Sequence, residues 1–179
     1  MTKIKPNPLA LKSGDLLNRS HDLLPFDKRK AKKVLSLKSL DAKLWRIFSR
    51  FIRLRDATKA GVTFCISCGE LISVFYYEYE KVKFNQQCHA GHYYNRGSNY
   101  RALKYDEKNV NAQCAHCNKY LEGNKQGYEK GLIKKYGESV LGYLDLKKRN
   151  QTSLNRFVLE SLIRHYEIEV KKLMKEKIG

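Results

Sequence analysis

The sequence predicts an α+β protein: a small zinc-stabilised core flanked by α-helices. Three observations predict it. Two Cys-x-x-Cys pairs, Cys65–Cys68 and Cys114–Cys117, stand 45 residues apart. The segment after the first pair turns to short β-branched and aromatic runs. Stretches with apolar residues at helical spacing lie on either side. The 179 residues suit one domain, or one domain with helical extensions. An apolar share of 42%, with 12 Tyr, 7 Phe and 1 Trp, is enough to build a core.

Residues 1–38 are polar, with Pro6, Pro8 and Pro25 and a basic run from Lys28 to Lys33, and predict an arm with little structure of its own. Residues 39–149 predict a helix plus the zinc-bound core, and residues 150–179 an amphipathic helix packing on it. Leu44, Ile47, Phe48 and Phe51 recur at helical spacing, with Trp45 and Ile52 widening the stripe. Ser39 is placed to cap that helix and Gly61 to end it. Arg46, Arg50 and Arg53 follow an i, i+4, i+7 line, which predicts a row of guanidinium groups. Val62–Phe64 and Leu71–Phe84 read as strands or a hairpin. Residues 89–113, rich in Gly, Asn and Tyr, read as mostly irregular. A short helix is expected near Cys114 or Cys117. Two more, Tyr128–Tyr136 and Glu138–Leu146, break at Gly137. The last helix, Ser153–Lys177, carries Leu154, Phe157, Val158, Leu162, Tyr166, Leu173 and Met174 on or near one stripe.

Lys and Arg number 36 against 18 Asp and Glu, a net charge of +18. Residues 1–60 carry +11, residues 61–125 only +2, and residues 126–179 carry +5. Basic flanks around a nearly neutral centre predict a polyanionic partner, with nucleic acid ahead of an anionic membrane surface. The basic arm shows no apolar face opposite its lysines, so membrane association ranks last. No apolar run is long enough to span a membrane, and the first residues lack the apolar stretch of a secretory signal. A soluble, cytoplasmic protein is the expectation.

A Cys-x-x-Cys turn aims two thiolates at one point, and Gly69 eases the tight path behind the first pair. Two such turns supply the tetrahedral four-sulfur shell of Zn2+. Cys65, Cys68, Cys114 and Cys117 therefore predict a zinc site, structural because a closed shell leaves no open position. A redox pair would sit in a βαβ context, and disulfides do not suit an intracellular chain. Cys88 reads as a small buried thiol, or else as a competing ligand. His21 and His165 read as surface or helix-face residues, and His116 as solvent-facing.

Between the pairs stands Cys88-His89-Ala-Gly-His92-Tyr, followed by Asn109, Cys114-Ala-His-Cys117-Asn118 and Gly123-Asn124. Together with Phe51-Ile-Arg-Leu-Arg-Asp56, Lys108-Asn-Val110 and Gln113, this arrangement resembles the HNH (ββα-metal) nucleases. Within them it is similar to the lambdoid-phage NinG recombination proteins, also called Rap, over about residues 38–177. The resemblance implies a ββα-metal core and a metal-dependent endonuclease acting on branched DNA such as Holliday junctions or D-loops. It implies His92 as general base, oriented by Asn109, and a catalytic Mg2+ or Mn2+ held by His89 and Asn118. Asn124 or Glu122 is placed to add a ligand. The converse assignment, His89 as base and His92 as ligand, stays open. The family usually has Asp where this chain has His89, which favours a softer ion than Mg2+. The segment Glu70–Gln87 is longer than the family's.

Arg96 is placed to grip the scissile phosphate, and Arg46, Arg50, Arg53, Lys119 and Lys125 to contact DNA. Tyrosines near the site, Tyr93 and Tyr94 among them, suit stacking on unpaired bases or completing a small core. Symmetric junction cutting needs two active sites, which makes a homodimer plausible. The alternative function is a zinc-stabilised protein that binds nucleic acid without cutting it.

Overall fold

The computed structural model describes residues 34–150 and 153–179. The basic arm read over residues 1–38 lies almost wholly outside them. The first helix, α1, spans Leu37–Asp56 and buries Leu40, Leu44, Phe48, Phe51, Ile52 and Leu54. Its cap is Ser36, whose Oγ accepts the Ser39 N–H at 3.1 Å, so the helix starts earlier than Ser39 suggested. It ends at Ala57, before Gly61, whose positive φ of 76° turns the chain into the first strand.

Strand β1 (Val62–Phe64) pairs antiparallel with β2 (Leu71–Ser73), and the first Cys-x-x-Cys turn lies in their connection. Gly69 leaves that turn at φ 76°, a conformation strained for any residue with a Cβ. Strands β3 (Phe75–Glu78) and β4 (Lys81–Phe84) form a hairpin with Phe75 opposite Phe84. The expected strand region of residues 71–84 is thus divided between two small sheets.

The segment read as irregular holds the central hairpin. Strand β5 (Cys88–His92) pairs with β6 (Val110–Cys114), His89 opposite Gln113 and His92 opposite Val110. Its residues are weak strand formers, and burial supplies what propensity lacks: Ala90, Val110 and Ala112 pack in the core beside α1. A 3-10 helix, Ser98–Leu103, interrupts the loop between these strands. A π-helical turn, His116–Tyr120, begins inside the second Cys-x-x-Cys pair.

Helices α2 (Lys125–Tyr136) and α3 (Ser139–Arg149) break at Gly137 as the sequence predicts. They form a second apolar cluster of Leu103, Tyr128, Leu132, Val140 and Leu144. Helix α2 presses on the first cysteine turn: a Cβ at Gly131 would meet the Ile66 carbonyl oxygen at 1.9 Å. Helix α4 (Arg156–Lys177) is capped by Asn155 and packs along α1. Its buried face is Leu159, Ile163, Tyr166 and Val170, whereas Phe157 is 74% exposed. Of the predicted stripe, Tyr166 is buried and Leu154, Leu162, Leu173 and Met174 pack partly buried against the core, whereas Phe157 faces outward. Tyr166 anchors the contact, its ring 4.9 Å from both Phe48 and Phe51.

Where α1, β6 and α2 meet, Asp56 is held in a buried ionic network. Its carboxylate accepts from Arg55 at 2.8 Å, Lys135 at 2.7 Å and the Ala112 N–H at 2.8 Å. Arg55 also donates to the Glu107 and Val110 carbonyls and to Asn111. Burial alone would raise the Asp56 carboxyl, but Arg55 and Lys135 outweigh it and hold it below its ordinary range. Removing one partner of such a network strands the others. We expect Asp56→Ala to lower stability by about 3–5 kcal/mol in urea denaturation, through the uncompensated Arg55 and Lys135 charges. A loss below about 1 kcal/mol would contradict this role.

Candidate functional site

Two centres lie side by side, a cysteine cluster and a histidine-lined cleft. The Sγ atoms of Cys65, Cys68, Cys114 and Cys117 all lie within 4.8 Å of one another. Four sulfurs bound tetrahedrally at about 2.3 Å would stand about 3.8 Å apart, and Cys68 and Cys114 are separated by 3.9 Å. Backbone N–H groups of Cys114 and Cys117 point at the Cys65 and Cys114 sulfurs, each at 3.3 Å. Burial pushes the Cys68 and Cys114 thiols up to about 11, so these groups need a cation in order to ionise. The donor set fits a closed metal site such as zinc's. Cys88 stands outside it, 2% exposed in the core, where burial pushes its thiol up to about 12.

The cleft, about 530 Å3, runs between one stripe of α1 (Trp45, Ser49, Arg53), strand β5 and the chain after Cys117. His89, His92, Arg96, Asn118 and Glu122 all line it. The sequence-predicted imidazoles and Asn118 therefore line one cleft, where His89 and Asn118 are in direct contact and His92 contacts Trp45 and the Lys104 carbonyl. His89 Nδ1 lies 2.8 Å from the Asn118 amide, while its Nε2 lies 3.0 Å from the Gln86 carbonyl oxygen. A carbonyl only accepts, so Nε2 carries the proton and Nδ1 keeps its lone pair. Such a backbone anchor is the usual outer bond of a metal-binding imidazole. Asn118 faces that lone pair with its amide N–H; with the amide turned about, its oxygen and the Nδ1 lone pair would both be offered to a cation. His89 and Asn118 can thus hold a divalent ion, with the exposed Glu122 carboxylate near by.

His92 leans on α1, its ring 5.1 Å from Trp45, and Arg96 lies over the same indole at 4.6 Å. His92 Nε2 meets the Lys104 carbonyl oxygen at 3.0 Å, so the basic lone pair is on Nδ1. Burial, with the Arg96 and Lys104 charges, lowers this imidazole to about 4 against a weaker opposing effect of the carbonyl bond. It is neutral at pH 7.

Two assignments are corrected. Asn109 does not orient the His92 ring. It is fully buried, and its amide bonds the Tyr94 N–H, the Tyr94 carbonyl and the Leu103 carbonyl. It closes the loop that leaves His92, and the Lys104 carbonyl takes the orienting place. Asn124 does not reach His89. It caps α2 through the Gly127 N–H and points its Nδ2 at the Cys117 sulfur, 3.5 Å away, so it belongs to the cysteine cluster. Of the cations assigned to DNA, Arg46, Arg50, Arg96, Lys119 and Lys125 are exposed and Arg53 is half-buried. Arg50 and Arg53 lie over the Phe84 ring at 5.0 and 5.3 Å, and Lys125 lies 5.5 Å from the Tyr93 and Tyr94 rings. Sequence reasoning missed Gln86 and Lys104, whose backbone carbonyls aim the imidazoles. A backbone acceptor leaves no trace in residue type. It also missed Trp45, which helical spacing had placed in the core.

A family profile described as "Bacteriophage Lambda NinG protein" matches residues 22–176. Protein ninG of Escherichia phage 933W is 33% identical over 95 residues, 53% of this chain and 39% of that protein. Protein ninG of Salmonella phage P22 is 33% identical, and that of Escherichia phage lambda 32%, over the same length and 38% of each. The matched stretch spans about two-fifths of these relatives' length. No solved structure matches the chain.

Metal-binding energy at such a cysteine site is largely folding energy. Cys65→Ser and Cys117→Ser should each lower bound zinc and the melting temperature, read by metal analysis and circular dichroism. If either variant keeps both, the ligand assignment is wrong.

The His92 ring also makes stability depend on pH. An unfolded chain protonates this residue near 6.5 and the folded one only near 4. Between those values the unfolded state binds more protons. The contribution is complete above about pH 6.5 and is lost as pH falls towards 4. In denaturant titrations across that range, His92→Gln should flatten the slope of stability with pH relative to wild type. An unchanged slope would contradict the buried, neutral imidazole.

Proposed function

The chain belongs to the NinG family of phage proteins, and from that premise we propose that it is an HNH-type, metal-dependent DNA endonuclease. Its substrates are branched recombination intermediates, Holliday junctions or D-loops, in the host cytoplasm. The observation that carries this reading is the convergence of His89, His92 and Asn118 on one cleft beside Arg96. Hairpin β5–β6 and the turn bearing Asn118 act as the two strands and helix of a ββα-metal unit. The cysteine cluster holds structural zinc. The basic arm, residues 1–38, and the last segment, residues 150–179, flank the cutting unit of residues 39–149 and grip the DNA. Two copies cut symmetrically.

Phosphodiester hydrolysis needs an activated water, relief of charge at the phosphate and help for the leaving oxygen. A divalent ion, when bound by His89 and Asn118, supplies the last two. The neutral His89 in a usually anionic position makes Mn2+ the better ion. The Nδ1 of His92 takes the proton from the attacking water, while the Lys104 carbonyl keeps Nε2–H in place. Arg96, levelled on Trp45, holds a phosphate oxygen of the scissile group. Arg46, Arg50, Arg53 and Lys119 contact the flanking backbone. The products are a 5′-phosphate and a 3′-hydroxyl.

A second reading is a zinc-stabilised protein that binds nucleic acid without cutting. The anchoring of His92 Nε2 on a backbone carbonyl favours it, because that bond also suits a purely structural histidine. Labelled four-way junction and linear duplex, incubated with Mg2+ or Mn2+, separate the two. Wild type should nick the junction. His92→Ala should slow nicking by about 100-fold or more, with little change in binding. No nicking by wild type, or equal nicking by His92→Ala, would sink the enzyme reading.

A further inference from the structure

A smaller hollow of about 270 Å3 opens beside the cleft and shares His92, Asn95, Glu122 and Gly123 with it. Its remaining wall is aromatic and basic: Tyr93, Tyr94, Tyr128, Lys125 and Lys148. The Tyr93 and Tyr94 rings meet edge to face, centroids 4.9 Å apart. Each is held by its hydroxyl, Tyr93 on Glu129 at 2.9 Å and Tyr94 on Asp145 at 2.5 Å. Both rings stay half-buried, although the apolar cluster of Tyr128 and Leu132 lies directly behind them. Lysine ammonium groups lie against their faces, Lys125 at 5.5 Å from both and Lys148 at 4.7 Å from Tyr94.

We propose that this hollow receives one unpaired nucleotide of the DNA, its base stacked on one ring of the Tyr93–Tyr94 pair and edged by the other, and its phosphates on Lys125 and Lys148. Aromatic faces accept any base, and ammonium groups beside them follow the phosphate chain. A base within a duplex enters only at the cost of unstacking and unpairing it, so the pocket favours DNA that already has an unpaired position. Because the hollow opens into the His92 cleft, a nucleotide lodged there sets its own phosphate against the cutting groups. The inference rests on the cleft being the cutting centre, and it deepens that reading by naming what marks the substrate.

The test reads binding alone, so it can fail while cutting succeeds, or the reverse. Full-length, zinc-loaded protein without added divalent ion is titrated with a duplex carrying a single bulged 2-aminopurine, and with the same duplex fully paired. Binding should quench the bulged probe and leave the paired one unchanged. Tyr94→Leu should weaken binding of oligothymidylate by about 10-fold, within the range of one lost base stack, and binding of paired duplex by less than about 2-fold. Tyr94→Phe keeps the ring and should retain single-strand affinity. Wild-type binding that leaves the bulged probe unquenched would overturn the proposal even if Tyr94→Leu fails to fold. So would a Tyr94→Leu variant that binds oligothymidylate as wild type does, or that loses duplex affinity equally.

Discussion

Four sulfurs from two turns 45 residues apart in the chain set the geometry of everything between them. Cys114 ends β6 and Cys65 follows β1, so the cluster pins the small β1–β2 sheet to the central hairpin. The Ile66 N–H reinforces this by donating to the Ala112 carbonyl at 3.0 Å. Strand β6 in turn fixes the register of β5, and with it the positions of His89 and His92. Asn118 follows Cys117 directly, so the sulfur nearest to it in the chain also aims its amide at His89. An unpaired turn of this length would pay too much conformational entropy to hold such a set. The cluster is therefore the constraint from which the cleft derives its shape.

The charge distribution becomes specific once side chains are placed. The chain's acidic groups are few, and among the described residues the buried carboxylates Asp56 and Asp106 are neutralised locally, Asp56 by Arg55 and Lys135 and Asp106 by Lys147 at 2.5 Å. Several cations around the cleft rest on aromatic faces, Arg96 on Trp45 and Arg50 and Arg53 on Phe84. A guanidinium on a ring is held in orientation while its donors stay available to an anion. That arrangement suits phosphate recognition better than a fully paired ion bridge does. It also explains why the least charged third of the sequence lines the cleft: the cations that matter come from α1 as well as from the centre.

Legibility followed the physical origin of each feature. The cysteine pairs were readable because metal geometry demands fixed spacing. Helix α1 and the α2–α3 break were readable because helical periodicity and Gly137 are local signals. The β5–β6 hairpin was not, because Gly, His and Asn are poor strand formers and the strands exist through packing on α1. The stripe of α4 was legible in part: Tyr166, Leu162 and Met174 lie on the core side, but Phe157 does not, because the extent of the covered face is decided by Phe48 and Phe51 of α1 rather than by local spacing. Among candidate site residues, His89, His92 and Asn118 were recognised as a group. Asn109 and Asn124 were placed near the right residues but in the wrong roles, because an amide serves backbone, cap or ligand equally well. The carbonyls of Gln86 and Lys104 were beyond reach of any side-chain pattern.

The proposed divalent-ion site of His89 and Asn118 stands apart from the cysteine cluster. Mn2+ titration followed by electron paramagnetic resonance, with zinc content measured on the same samples, tests it most directly. Wild type should take up Mn2+ without losing zinc. His89→Ala should abolish that uptake while its zinc content stays at the wild-type level. Mn2+ uptake by His89→Ala equal to wild type, or none by wild type, would contradict it.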